Sequence, residues 1–360
     1  MTINPFDSFI KLVRIGIGTS KDVIIPDGFD WASLKALADA QGLSAVVLDA
    51  IDKLPTDATE TMPQMMRLEW IGEVMKKEGL GEAQQKAAIS LGKLFHNNYI
   101  RTYVLKGFVV AECYPNPKHR ECSDMDCFLL PIKGNFDAWG LGNSLVRSNE
   151  YKVSEGFYKN STFYLPGLVV ENHRFMTPLR GSKNLRRLET VLQSMIREDI
   201  GEDRFKETWL YRPPVMVTAL FLIEHAYSHF LHEGLTWRMI LDWILFKNKH
   251  QEDICWTDFE AFVDEFGFRK FYDSYLRLGH YLLGEVSEKE LRKADKLMLD
   301  DVWAPLDLHE SLHGVKAKFQ LAGNYWRARW KYKYFTDITW VRALLEWVFG
   351  AVLDRHPKLA

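Results

Sequence analysis

The hydrophobic rhythm of this chain changes twice. Through the first quarter, apolar residues recur every three or four positions, the spacing of one buried helix face. It predicts a helix over Phe6–Leu12. A second opens with Asp30 as N-cap, runs through Trp31–Ala38 and ends at Gly42. A third, Leu43–Leu54, stops at Pro55, and a fourth covers Met65–Ala88. Residues 89–100 continue as helix into Tyr103-Val104-Leu105, where the period drops to two. Lys106-Gly107 then turns the chain into a short helix, Phe108–Cys113, and Tyr114-Pro115-Asn116-Pro117 forms a rigid, non-helical connection. Ser123–Leu130 alternates as a strand, Gly134–Val146 reads as a helix, and Lys152–Phe157 with Ser161–Leu165 reads as a strand pair. The sheet is expected to continue into Val169-Val170-Glu171. Beyond Pro213-Pro214 the period returns to helical, first over Val215–Leu231 and then to the end, with breaks at Gly267, Gly284 and around Pro305.

This pattern predicts an α+β protein. A small sheet in residues 91–205 stands between an N-terminal helical region, 1–90, and a C-terminal helical domain, 206–360. With 47% hydrophobic and 26% charged residues, 360 residues suffice to bury such cores without staples. Lys and Arg number 46 against 48 Asp and Glu, so the net charge of −2 provides no global pull toward nucleic acid. The cysteines, Cys113, Cys122, Cys127 and Cys255, lack zinc-site spacing, and no stretch reaches the roughly 18 apolar residues of a membrane span. A cytoplasmic protein is expected.

The candidate chemistry sits on the period-two segment. Asp124 and Asp126 leave the same face of one strand, and two carboxylates side by side stay ionised most readily with a cation between them, which suggests Mg²⁺ or Mn²⁺. Glu171 ends another short strand 45 positions further on. Three such acids can hold two divalent ions. Lys106, at a strand-to-helix turn, is placed to meet a phosphate together with the free N–H groups of the helix start. Arg120 has two readings, a bidentate phosphate contact or an ion pair with Asp124 or Asp126.

These residues resemble a family, the uncharacterised nucleotidyltransferases of the DNA polymerase beta superfamily. The resemblance is carried by Leu105-Lys106-Gly107, Tyr114-Pro115, Arg120 and Asp124-Met125-Asp126, then Glu171 and His173, and more loosely by His229, Arg238 and Asp242. It implies a small mixed polymerase-beta-like sheet and a metal-dependent transfer of a nucleoside monophosphate from an NTP to an unidentified acceptor hydroxyl. By the same resemblance Asp124 and Asp126 bind the metals, and Glu171 completes the second metal site or takes the acceptor's proton. Lys106, Gly107, Arg120 and His173 then face the substrate. The helix-opening Gly-Ser of the wider superfamily is absent, and Lys106-Gly107 stands roughly in its place.

Other signals compete for attention. His225, His229 and His232 share one helix face, but Glu224 precedes the first of them, unlike the order of the zinc-hydrolase motif. Arg238 and Asp242, four apart, are spaced to pair within a helix. Arg180, Lys183, Arg186 and Arg187 form a basic run that either closes over a phosphate or faces water. Residues 325–335 interleave basic and aromatic side chains, as a single-strand or membrane-surface adaptor does, or as aromatics packed on a neighbouring helix do; a short apolar helix, Trp340–Val352, follows. A non-catalytic nucleotide-binding protein is the remaining alternative.

Overall fold

The computed structural model describes residues 5–21, 25–26, 28–155, 158–179, 182–199, 201, 203–304, 323 and 326–345. The expected helices open the chain as α1 (Pro5–Gly16), α2 (Trp31–Ala40), α3 (Ser44–Lys53) and the single turn α4 (Thr56–Thr59). Asp30 caps α2 by accepting the Ser33 N–H at 3.0 Å. α1 packs on α3, and Phe9, Leu12, Val13 and Val47 are buried there. The stretches expected as two helices, Met65–Ala88 and residues 89–100, are one continuous 34-residue helix, α5 (Gln64–Asn97). No proline lies within it, so nothing in the backbone interrupts its hydrogen bonds.

A six-stranded mixed sheet follows, built from β1 (Ile100–Val104), β2 (Asp124–Pro131), β3 (Lys152–Ser154), β4 (Asn160–Leu165), β5 (Leu168–His173) and β6 (Leu210–Tyr211). The order is β3-β4-β5-β2-β1-β6, with β2 parallel to β5 and antiparallel to β1. Between the strands lie α6 (Phe108–Ala111), α7 (Ala138–Ser148) and α8 (Lys183–Glu198). The helix expected from Gly134 begins four residues later, because Asp137 caps it by accepting the Gly140 N–H at 3.1 Å.

Alternation along the strands divides the interior. Met125, Cys127, Leu129, Leu168 and Val170 join Leu91 and Phe95 of α5 in one core. Tyr103, Phe128 and Leu130 face the other way, into a larger core shared with the C-terminal helices. Those helices are α9 (Val215–His232), α10 (Trp237–Lys249), α11 (Trp256–Glu265), α12 (Arg269–Leu283), α13 (Lys293–Trp303) and α14 (Arg329–Phe335). The sheet thus has α5 behind it and α9 in front.

Within the basic-aromatic stretch, Trp330 and Phe335 pack edge-on against Phe230 with ring centroids 6.0 and 4.9 Å away. Lys331 is buried, pairing with Asp301 at 2.8 Å and donating to the Phe230 carbonyl at 2.6 Å. Tyr332 and Phe335 are core residues, as the packing alternative expected, whereas Trp326 is exposed and Lys331, expected to face water, is an internal cation. Arg187 of the earlier basic run pairs with Glu265, and Arg186 donates to the Leu179 carbonyl at 2.8 Å. Arg180, Phe157, Pro305, Tyr325 and residues 346–352 lie outside the described residues. No helix among the described residues is long and apolar enough to cross a membrane.

Phe95 is fully buried between α5 and the sheet, its ring 6.4 Å from that of Phe163. Phe95→Ala should lower unfolding free energy by about 3–5 kcal/mol in urea titrations. A loss under about 1 kcal/mol would mean that the helix does not depend on this contact.

Candidate active site

The strand that carries the aspartates enters the sheet from a pinned loop. Lys118 pairs with Glu82 at 2.7 Å, and His119 lies between Asp49 at 2.6 Å and Glu78 at 3.1 Å. Arg120 pairs with Asp242, and Glu121 with Lys77 at 2.9 Å. Four consecutive residues therefore hold to α5, α3 and α10 before β2 begins. The parallel register then sets Asp126 beside Glu171.

Asp126 Oδ1 lies 3.0 Å from His173 Nε2, and Glu171 Oε2 lies 3.6 Å from the same nitrogen. Ligand atoms of Asp126, Glu171 and His173 all fall within 4.8 Å of one another, a group able to hold a metal ion. Asp124 stands outside that group, its Oδ1 accepting a hydrogen bond from Ser123 Oγ at 3.0 Å, but it lines the same cavity. The structure therefore brings together two of the three predicted acids and adds the histidine.

Lys106 follows β1 and reaches Asp126 Oδ2 at 3.3 Å and His225 Nε2 at 2.8 Å. An ammonium only donates, so His225 Nε2 accepts and the ring proton sits on Nδ1. His225 had been read only as part of a helical stripe. Its role as the lysine's partner was hidden because 119 positions separate the two. Gly107 caps α6 in the left-handed region, φ 71°, which turns the chain sharply after Lys106.

Burial alone would push Asp126 up, but the Lys106 charge and the His173 hydrogen bond win and hold its carboxyl well below the usual range. Glu171 moves the opposite way. Burial raises its proton affinity, and the negative charges of Asp126 and Asp124 add to that against the lowering effect of His173. Burial, then the Lys106 charge, pushes the His225 imidazole well below its ordinary value.

Two expectations need correction. Arg120 pairs with neither Asp124 nor Asp126, and the side-on edge expected to take a phosphate is occupied by another carboxylate. It is buried, with Nε and Nη2 donating to the two oxygens of Asp242 at 2.8 Å each. Nor do Arg238 and Asp242 pair along their helix. Asp242 is taken by Arg120 and by the Tyr114 hydroxyl at 2.7 Å, while Arg238 donates to the Glu121 carbonyl. Arg120 and Asp242 are both buried, and their two-point contact offsets part of the desolvation cost that each charge would otherwise carry alone. His229 lines the cavity, and its Nδ1 lies 2.8 Å from Glu233.

The cavity has a volume of about 210 Å³ and lies between the sheet face of Asp124, Asp126 and Glu171 and the helices α9 and α10. Acids on neighbouring strands, a lysine held against them and a helical roof form an arrangement that fits phosphoryl- and nucleotidyl-transfer chemistry. The profile of one family, described as uncharacterised nucleotidyltransferases, matches residues 27–284, more than half of the chain, and the chain belongs to that family. No curated protein and no solved structure matches it.

Asp242→Asn should cost about 3–5 kcal/mol in chemical denaturation, since it leaves the Arg120 charge buried without a counter-ion. A loss below about 1 kcal/mol would show the pair to be dispensable. The Asp49 hydrogen bond, against burial, raises His119 above its ordinary 6.5. Stabilisation from its charged form is complete below about pH 6.5 and is lost as pH climbs through the raised folded value. The melting-temperature gap between wild type and His119→Gln should accordingly narrow on the alkaline side of neutrality. A gap that stays constant from pH 6 to 9 would assign the effect to packing.

Proposed function

We propose that the protein transfers a nucleoside monophosphate from an NTP to an acceptor hydroxyl and releases pyrophosphate. The observation that carries this reading is that ligand atoms of Asp126, Glu171 and His173 all lie within 4.8 Å of one another. Asp126 Oδ2 is buried without a hydrogen-bond partner among the described residues, with only the Lys106 charge beside it. A divalent cation that joins the Lys106 ammonium beside that ionised oxygen would complete its coordination.

Asp126 and Glu171 would hold Mg²⁺, or Mn²⁺, with Asp124 on the same strand face as a further ligand. Once bound, such an ion offsets the charge of the triphosphate and makes the acceptor hydroxyl more acidic. His173 serves as the orienting group, because its Nδ1 faces the Phe175 carbonyl at 3.2 Å and so aims Nε2 at Asp126. Alternatively Glu171 stays off the metal, and its raised proton affinity then suits it to take the acceptor's proton. As that proton leaves, the acceptor oxygen forms a bond to the α-phosphorus. The bond from that phosphorus to the bridging oxygen breaks, and the electron pair departs with pyrophosphate. Lys106 meets the negative charge that gathers on the leaving group.

Incubation with each of the four NTPs and Mg²⁺, followed by pyrophosphate detection and mass spectrometry for self-modification, tests the reading. Asp126→Asn should abolish release, and Glu171→Gln should lower it by about a hundredfold or more. Release that is unchanged in Asp126→Asn would remove the transfer mechanism. Nucleotide binding with no release in the wild type, across acceptor hydroxyls of sugars, proteins and RNA ends, would favour a binding protein instead.

A further inference from the structure

Three cations line the cavity beside its acids, and two of them are already engaged. Lys106 lies between Asp126 and His225, and Arg120 is bonded to Asp242. Arg238 is different. One nitrogen, Nη1, donates to the neutral carbonyl of Glu121, no carboxylate pairs with the guanidinium among the described residues, and Nε is buried without a partner. Buried donors are rarely left unmade, and a half-buried guanidinium without a counter-ion is an incomplete arrangement.

The unused nitrogens are the informative ones. Arg120 binds Asp242 through Nε and Nη2, the side-on edge that matches the spacing of two oxygens on a carboxylate or phosphate. On Arg238 that same edge has no acceptor among the described residues. Its stem rests on Gly42, in the left-handed region at φ 66°, where an added Cβ would come within 3.2 Å of the arginine Cδ and Nε. Residue 42 therefore leaves the room in which this side chain is held.

We propose that Arg238 is the phosphate-binding arginine of the cavity, taking the β- or γ-phosphate of the NTP together with Lys106, in the role first expected of Arg120. The proposal rests on the nucleotidyltransferase reading and gives that reading the phosphate donor it lacked, since the chain has no Gly-Ser at its strand-to-helix turn. The cavity of about 210 Å³ is lined by Asp126, Lys106 and Arg238, so a phosphate chain held there would meet both cations.

Inorganic tripolyphosphate with Mg²⁺ is the probe, titrated calorimetrically into the full chain, alongside the four NTPs. Arg238→Gln should weaken tripolyphosphate binding roughly tenfold or more at an unchanged melting temperature, and Arg238→Lys, which keeps the charge but not the fork, should fall between. In the wild type, tripolyphosphate should also slow phenylglyoxal modification at Arg238, as read by peptide mass mapping, a measurement that needs no variant. Binding within about twofold of wild type in Arg238→Gln, or no protection of Arg238 while tripolyphosphate binds, would overturn this assignment and leave the transferase reading standing. Failure of the wild type to bind tripolyphosphate and all four NTPs would overturn both.

Discussion

The ion pair between Arg120 and Asp242 is the constraint on which the site depends. Both groups are buried, and their bidentate contact spans 122 positions of chain to join the loop before β2 to a helix of the C-terminal bundle. Either charge alone would be costly in that position, so the loop and the helix are held in one relative arrangement. Tyr114 reinforces it by donating to the same carboxylate, and burial with the Asp242 charge raises the phenol's pKa well above its ordinary value, keeping it a donor. The direction in which β2 presents Asp126 follows from this anchoring.

Electrostatics then separates the two central acids. Asp126 and Glu171 are register partners on parallel strands, yet Lys106 and His173 hold the first ionised while burial and its neighbours make the second more basic. Two like carboxylates facing one cavity thereby acquire unlike proton affinities.

Much of this was legible in the sequence because strand alternation is a local property. It placed Asp124 and Asp126 on one face, predicted a neighbouring strand ending at Glu171, and put the sheet between two helical regions. Long-range pairing was not legible. Nothing near Arg120 announces Asp242, and nothing near Lys106 announces His225. Helical periodicity likewise reads the same whether a cation faces solvent or, as Lys331 does, an internal aspartate.

The span between Arg120 and Asp242 also has a meaning in time. At roughly 5–20 residues per second of synthesis, a gap of 122 residues is a delay of about 6–24 s during which the arginine exists and its partner does not. Throughout that interval the loop before β2 lacks the anchor that fixes it, and the nascent sheet cannot yet hold its acids in working order. Assembly of this centre is therefore a late event on the ribosome, completed only when the bundle closes over a strand made long before it.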